Sequence, residues 1–333
     1  MDWFETLTGF AEESPEQVRK QLQLTGTTLT SLVNGREMEV GHFLTPTLAE
    51  LRQRTPKLPS GSLQLREVVG DVMQLHADPV NQHAVFQVAS QFNCLEMVFP
   101  DVIPEEGVGI YENDRTQGPA CSISAGAGTI YRNYLVPVGD TTGQSADRQI
   151  DGLAKLHAKM QEVTKHPWQM KNGYCLPSAI SMEKIRSYLA ECDEKELDQL
   201  RQLLMVGVQE GTEVTLAGAG HRVTQVFCSA LPIAYSSIPV SDWGRFPKLI
   251  LDATYEATFR VAIENLQRHQ VGKLFLTLVG GGVFGNSIAE ILGAIERSLA
   301  LFREYPLEVA IVSYGSSQSR VADFVQRQQS QKC

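Results

Sequence analysis

Residues 280–286 are the segment of this chain best suited to bind an anion. They follow an apolar stretch, residues 274–279, and precede a segment with helical spacing that starts at Ser287. Glycines at such a junction let the backbone approach a ligand closely, and the first turn of the following helix has free N–H groups. An aromatic ring in the segment can also pack on a ribose or a base. We therefore predict ligand contacts from Gly280, Gly281, Gly282, Val283, Phe284, Gly285 and Asn286.

The alternative for residues 280–286 is a tight strand-to-helix turn that has no ligand. The segment is not a P-loop, because no Gly-Lys followed by Ser or Thr occurs in it. It also differs from a Rossmann fingerprint, which follows the first strand of its fold, whereas only one further strand is predicted after residue 286.

A second group of polar residues follows the short apolar segment 84–90. Ligands of open α/β sheets bind at the carboxyl ends of strands. Asn93 can offer both a donor and an acceptor to a sugar hydroxyl, and Glu96 lies three residues later. We predict that both contact the ligand. The alternative for Asn93 is a helix N-cap or an Asx turn.

Residues 100–119 are rich in Pro, Gly, Glu and Asp, which predicts a loop. Carboxylates in such a loop can bind ribose hydroxyls or activate a water molecule as a general base. We predict Asp114 and Glu106 as the catalytic residues. The alternative is a solvated loop in which Asp114 and Arg115 form a surface ion pair.

A third carboxylate, Asp71, lies at the end of a predicted strand that starts at Leu63. A carboxylate in this position can accept a hydrogen bond from an adenine amino group. We include Asp71 and Val72 among the predicted ligand contacts.

These segments need a sheet whose strands end close together. Strands alternate with helices across residues 62–333, which predicts an α/β domain with a mixed, mostly parallel central sheet between two helical layers. Residues 1–61 are predicted to form an N-terminal helical extension. Residues 140–212, approximately, are predicted to form a helical insertion in the domain.

Composition narrows the classes of partner. The chain has 333 residues, of which 43% are hydrophobic, and a formal net charge of −9, which disfavours nucleic acid and anionic membranes. The six cysteines include no CxxC pair, so neither a zinc ribbon nor a redox pair is predicted. No apolar segment reaches the length of about 20 residues that a transmembrane helix needs. We expect a cytoplasmic protein with reduced thiols, without metal or cofactor, and with no nucleic-acid or membrane partner.

The order of the four segments resembles the macrodomain family. In that family a first strand leads to a Gly-Asp turn whose Asp binds adenine, and Gly70-Asp71-Val72 is similar. A second strand leads to an Asn-rich turn that faces the distal ribose, in the position of residues 91–93. A catalytic glycine-rich loop follows, in the position of residues 106–118. A late Gly-x-Phe/Tyr-Gly loop wraps the diphosphate and is matched by residues 282–285.

The chain departs from the macrodomain pattern at several points. The usual Asn-Ala-Ala-Asn is reduced to Gln91-Phe92-Asn93, an acidic loop replaces the first Gly-Gly-Gly, and residues 140–212 have no counterpart in minimal macrodomains. The chain looks closer to poly(ADP-ribose) glycohydrolase-like macrodomains and to the bacterial effector macrodomains that remove ADP-ribose from ubiquitin. Those proteins also carry helical additions and use acidic loop residues.

The resemblance implies that the protein binds ADP-ribose and hydrolyses it from a modified protein or a related derivative. Asp71 would hold the adenine, residues 280–286 the diphosphate and Asn93 the distal ribose. Asp114 or Glu106 would position or deprotonate the attacking water. The alternatives are a reader that binds ADP-ribose without catalysis and another nucleotide-binding α/β enzyme.

Overall fold

The computed structural model describes residues 2–58 and 60–330. Its strands are β1 Leu22–Thr25, β2 Thr28–Ser31, β3 Glu37–Glu39, β4 His42–Leu44, β5 Gln64–Val69, β6 Val85–Ala89, β7 Pro137–Val138, β8 Thr141–Thr142, β9 Gln169–Lys171, β10 Tyr174–Leu176, β11 Gly207–Glu213, β12 Arg222–Cys228, β13 Lys273–Leu276 and β14 Glu308–Ser313. Its α-helices are α1 Trp3–Thr8, α2 Pro15–Gln21, α3 Leu48–Arg54, α4 Val72–Ala77, α5 Gln117–Ser124, α6 Gly126–Ile130, α7 Ala154–Met160, α8 Ala179–Glu191, α9 Glu194–Arg201, α10 Phe246–His269, α11 Ile288–Leu301 and α12 Ser319–Ser330.

A seven-stranded sheet forms the centre of the molecule, in the order β4-β11-β12-β6-β13-β14-β5. The run from β12 to β5 is parallel throughout. Strand β11 is antiparallel to both of its neighbours, β12 and β4. The predicted α/β class with a mixed, mostly parallel sheet is thus confirmed. Because parallel strands end at the same edge, the segments that follow β5, β6, β13 and β14 meet there.

Helices cover both faces of this sheet, as two adjacent residues of β6 illustrate. The Phe86 ring stacks on His76 of α4, with centroids 3.7 Å apart. Its neighbour Gln87 faces the other way and donates to Thr258 of α10 at 2.9 Å. Strands buried on both faces are apolar over most of their length, which explains why the sequence shows them as runs rather than as alternating patterns. The three layers are therefore helix, sheet and helix.

The first sixty residues are not all helical, contrary to the sequence prediction. Besides α1, α2 and α3 they contain a three-stranded antiparallel sheet, β1-β2-β3, and β4, which pairs with β11 of the central sheet. Strands β1 and β2 form a hairpin around Gly26, whose φ of 63° suits glycine. Threonines enrich both strands and favour extended backbone. The division of the chain at residue 61 remains a prediction.

The segment 140–212 also differs from the predicted all-helical insertion. Helices α7, α8 and α9 are present, but β9 and β10 form a hairpin between α7 and α8. Its turn is Asn172-Gly173, with φ of 45° and 79°, the dipeptide most typical of tight hairpins. The end of the segment is β11, a strand of the central sheet.

Within residues 2–58 and 60–330, no helix combines the length and the apolarity that crossing a bilayer requires. The five cysteines of this part of the chain are buried and form no disulfide, and Cys333 lies outside it. Burial raises the pKa of the Cys94 and Cys228 thiols to about 12, so both stay protonated at neutral pH.

Candidate functional site

Two adjoining cavities lie at the carboxyl ends of the parallel strands. The first has a volume of about 690 Å³ and is lined by residues that follow β6 and β13. The second has a volume of about 800 Å³ and is lined by residues that follow β5 and β14. Both are lined by Thr277, Leu278 and residues 114–117, so they meet along this shared wall. Each cavity has the size of a typical small-molecule site.

The glycine loop, residues 280–286, borders the first cavity and uses its glycines for different purposes. Gly280 and Gly285 both have φ of 75°, which the turn requires of glycine. A Cβ on Gly282 would meet nothing within 4 Å, and its φ is not positive. Neither the turn nor the packing therefore requires a glycine at residue 282, and the open space leaves its backbone accessible from the first cavity.

Three consecutive N–H groups of the glycine loop are unused. Among the described residues, nothing accepts from the N–H of Gly282, Val283 or Phe284, and all three residues line the first cavity. Asn286 holds the loop in shape by donating to the carbonyl of Leu231 at 2.8 Å. Of the predicted contacts in this loop, Gly280, Gly282, Val283 and Phe284 line the first cavity, whereas Gly281, Gly285 and Asn286 do not.

Glu96 lines the first cavity although its side chain is almost completely buried, with 3% exposed. Its Oε1 accepts from the Ser122 hydroxyl at 3.3 Å. Ser122 in turn accepts from the buried guanidinium of Arg132 at 3.3 Å. Burial raises the pKa of Glu96, against the opposing positive charge of Arg132. A carboxyl group in this position can hold a proton that it later donates.

Asp114 is the second carboxylate of the site and lines both cavities. Its negative charge also raises the pKa of Glu96, after the larger effect of burial. Asp114 Oδ1 accepts from the N–H of Thr116 at 2.8 Å, just before α5. The sequence left open a surface ion pair between Asp114 and Arg115. Within the described part of the chain, these two residues form no ion pair.

Gly118 allows α5 to pack against Glu96. A Cβ at this position would overlap with the Glu96 carboxylate and with the carbonyl oxygen of Ala89. The first turn of α5, which lines the first cavity through residues 117–119, is therefore placed directly beside the buried carboxyl group.

Asp71 and Val72, both predicted ligand contacts, lie in the wall of the second cavity. Asp71 is the N-cap of α4, and its Oδ1 accepts from the N–H of Met73 at 2.8 Å. Much of the remaining wall is apolar or aromatic. It includes Trp3, Ala120, Ile123, Leu216, Val312 and Tyr314. This combination suits a planar, largely apolar group with a polar edge.

Two predicted site residues lie outside the walls of both cavities. Asn93 is fully buried, accepts from the N–H of Leu95 at 3.1 Å and donates to Gln149 at 2.8 Å. This is the turn-forming role that the sequence offered as its alternative. Glu106 is exposed, and its Oε1 accepts from the N–H of Ile103 at 3.2 Å.

Aromatic residues of the first cavity were missed by the sequence analysis. Tyr174 and Tyr235 pack against Phe284 with ring centroids 5.4 Å and 5.6 Å away, and Phe99 packs on Tyr235 at 6.5 Å. Tyr174 comes from β10, next to the Asn172-Gly173 turn. That hairpin signal could have shown that a strand, rather than a helix, brings this ring to the site.

Solved structures with a similar arrangement include poly(ADP-ribose) glycohydrolase from Thermomonospora curvata, at a TM-score of 0.47 and 13% identity over 94% of this chain and 95% of that chain. The same enzyme bound to the inhibitor ADP-HPD has a TM-score of 0.45 and 14% identity over 94% of this chain and 95% of that chain. Poly(ADP-ribose) glycohydrolase from Deinococcus radiodurans in complex with ADP-ribose has a TM-score of 0.44 and 12% identity over 88% of this chain and 95% of that chain. No protein-family model and no curated protein matches the chain. At these similarities, function has to come from the chain's own residues.

Proposed function

We propose that this protein binds ADP-ribose across the two cavities and hydrolyses the bond at the anomeric carbon of its distal ribose. One observation carries the proposal. Three unused N–H groups of the glycine loop and two carboxyl groups, Glu96 and Asp114, line the same cavity. The first set suits a diphosphate and the second suits glycosidic bond cleavage.

The adenine occupies the second cavity in this proposal. Its apolar and aromatic walls match the faces of a purine, and Asp71 supplies an acceptor for the exocyclic amino group. The order of segments along the chain resembles that of the macrodomain family, and this resemblance supports the same position for the base.

The diphosphate lies where the two cavities meet. The N–H groups of Gly282, Val283 and Phe284 stabilise its negative charge, and Arg115, which lines both cavities, adds a basic side chain there. The first turn of α5 adds the N–H group of Gln117, which has no acceptor among the described residues and belongs to a residue that lines both cavities.

The distal ribose then reaches the carboxyl pair in the first cavity. Glu96 donates its proton to the leaving atom as the bond to the anomeric carbon breaks. Asp114 accepts a proton from the attacking water, whose oxygen forms the new bond to that carbon. The products are ADP-ribose and the protonated leaving group, and transfer of the proton from Asp114 through solvent to Glu96 restores the starting state.

Calorimetric titration with ADP-ribose tests the binding part of this proposal. We expect micromolar affinity for the natural chain and at least a 100-fold loss for Gly282→Glu. The introduced carboxylate would occupy the anion site, and the fold has room at this position. The matched control is Ile180→Glu, which adds the same charge on α8, where the side chain is 70% exposed and outside both cavities.

The control variant should bind ADP-ribose like the natural chain. Absence of binding by the natural chain, or equal binding by Gly282→Glu, contradicts the proposed site. Binding without release of ADP-ribose from any modified substrate would leave a reader rather than an enzyme.

A further inference from the structure

The first residues of the chain lie beside the proposed ligand site. We call residues 2–12 the N-terminal segment. Trp3 lines the second cavity, and the half-buried Glu12 lies against Gly107 and Gly109. The segment therefore contacts both a cavity wall and the loop that leads to Asp114.

Glu12 organises that loop as an internal anion. Its carboxylate accepts from the N–H of Val108 at 2.9 Å, from the N–H of Gly109 at 2.6 Å and from the Tyr134 hydroxyl at 2.5 Å. A Cβ on Gly107 would overlap with this carboxylate, and one on Gly109 would lie 3.0 Å from it. Glycines at both positions therefore let the loop close around Glu12.

Trp3 is held by the same loop. Its indole N–H donates to the carbonyl of Val108 at 3.0 Å, and its backbone N–H donates to Glu112 at 3.3 Å. The ring also packs on Gly126, where a Cβ would lie 2.8 Å from it. Val108 thus connects Glu12 to Trp3, because one peptide group accepts from Trp3 and another donates to Glu12.

The side chain of Trp3 is only half-buried, although it is fixed at its N–H and packed on Gly126. The same cavity includes Tyr314, whose side chain is 77% exposed. An indole held in place beside apolar walls provides a stacking surface for a planar base.

We infer that Trp3 is a specificity-determining residue that stacks on the base of the ligand, and that Glu12 is a positioning residue that holds Trp3 through Val108. This inference rests on the proposed function, because it takes the occupant of the second cavity to be the adenine of ADP-ribose. It assigns to the N-terminal segment a part in ligand binding.

Substitution of Trp3 tests the stacking role. Calorimetry with ADP-ribose should show about tenfold or greater loss of affinity for Trp3→Ala, the usual effect of removing a stacked aromatic ring. Trp3→Phe keeps a ring and should stay within about threefold of the natural chain. Equal affinity of Trp3→Ala and the natural chain would overturn the inference while leaving the proposed function intact.

Tryptophan fluorescence gives a readout that a merely structural role would not produce. The other two tryptophans, Trp168 and Trp243, are buried and line neither cavity. Addition of ADP-ribose should change the emission of the natural chain along the calorimetric binding curve, and Trp3→Phe should abolish the change. A change that persists in Trp3→Phe contradicts stacking on Trp3. Absence of ADP-ribose binding by the natural chain would instead remove the proposed function.

A double-mutant cycle tests the link to Glu12. Glu12→Gln retains one oxygen acceptor but loses the second and the charge, so affinity for ADP-ribose should fall about threefold to tenfold. In the Trp3→Ala background the same change should have little further effect, because both act on one contact. Fully additive losses would contradict the link through Val108.

Discussion

Two glycine-bearing loops, residues 280–286 beside the first cavity and residues 107–109 ahead of Asp114, differ in the partners of their N–H groups. In residues 280–286 the N–H groups of Gly282, Val283 and Phe284 are unused in the described structure. In residues 107–109 the N–H groups of Val108 and Gly109 already donate to Glu12. The first loop is available to an external anion, whereas the second has an anion of its own. Glycine content alone therefore does not identify a ligand loop.

The largest expected effect is on turnover and concerns Asp114, which follows the loop of residues 107–109. Asp114→Asn should reduce the release of ADP-ribose from a modified substrate by about 10²- to 10⁴-fold, the usual contribution of a general acid or base. Affinity for ADP-ribose should change little, since the amide oxygen can still accept from Thr116. Single-turnover kinetics beside calorimetry measure both quantities.

Glu106→Gln is the matched variant in the same loop. Glu106 is exposed and outside both cavities, so turnover should stay within about twofold of the natural chain. The reverse result, with Glu106 essential and Asp114 dispensable, would show that the loop rearranges when the substrate binds.

A smaller effect is expected on stability, where alanine substitutions at Gly107 and Gly282 should differ. Gly107 has a φ of 89° and packs on Glu12, so Gly107→Ala should lower the free energy of unfolding by about 1–3 kcal/mol. Gly282→Ala should change it by no more than about 0.5 kcal/mol, because nothing lies within 4 Å of the added methyl group. Urea unfolding of both variants measures this difference. Similar losses in the free energy of unfolding would contradict the different roles assigned to the two glycines.

The pH dependence sharpens the role assigned to Glu96. Burial raises its pKa above the ordinary value of 4.5, so the folded chain holds this proton more tightly than the unfolded chain. The resulting stabilisation is present below pH 4.5 and is lost as the pH rises through the raised pKa. Turnover should fall over the same upper range, by about tenfold per pH unit, as the donor loses its proton.

Glu96→Gln is the control for this pH effect. An amide resembles the protonated acid and does not titrate, so thermal unfolding of this variant should vary less with pH than that of the natural chain. Parallel pH profiles for both proteins would contradict a buried proton on Glu96.

The smallest expected effect concerns Ser122. Its hydroxyl donates to Glu96 and favours the ionised form, so Ser122→Ala should raise the pKa of Glu96 further. A single hydrogen bond of about 0.5–1.5 kcal/mol corresponds to at most about one pH unit. The alkaline limb of the rate profile should therefore move to higher pH, and movement to lower pH would contradict the assigned direction of the bond.

Several predicted site residues that line a cavity follow strands of the central sheet. Asp71, Glu96 and Gly282 come shortly after β5, β6 and β13, and each lines a cavity. Apolar runs predict strands, and parallel strands bring their carboxyl ends together, so local patterns were sufficient for these positions.

The positions that the sequence did not resolve depend on contacts between distant segments. The sequence suits Asn93 either to a sugar contact or to a turn of its own, and it does not reveal the observed bonds to Leu95 and Gln149. Trp3 lies far from the cavity residues in sequence, and no periodicity connects it to Val108. The pairing of β4 with β11 is likewise a long-range choice that a three-residue strand does not reveal.

The position of Trp3 has a practical consequence for handling the protein. A label or tag attached next to Trp3 would lie beside an indole that borders the second cavity. Trimming the first sixty residues would also remove β4 and expose the edge of β11 to unwanted strand pairing. Labels are better attached at an exposed position away from both cavities, such as Ile180 on α8.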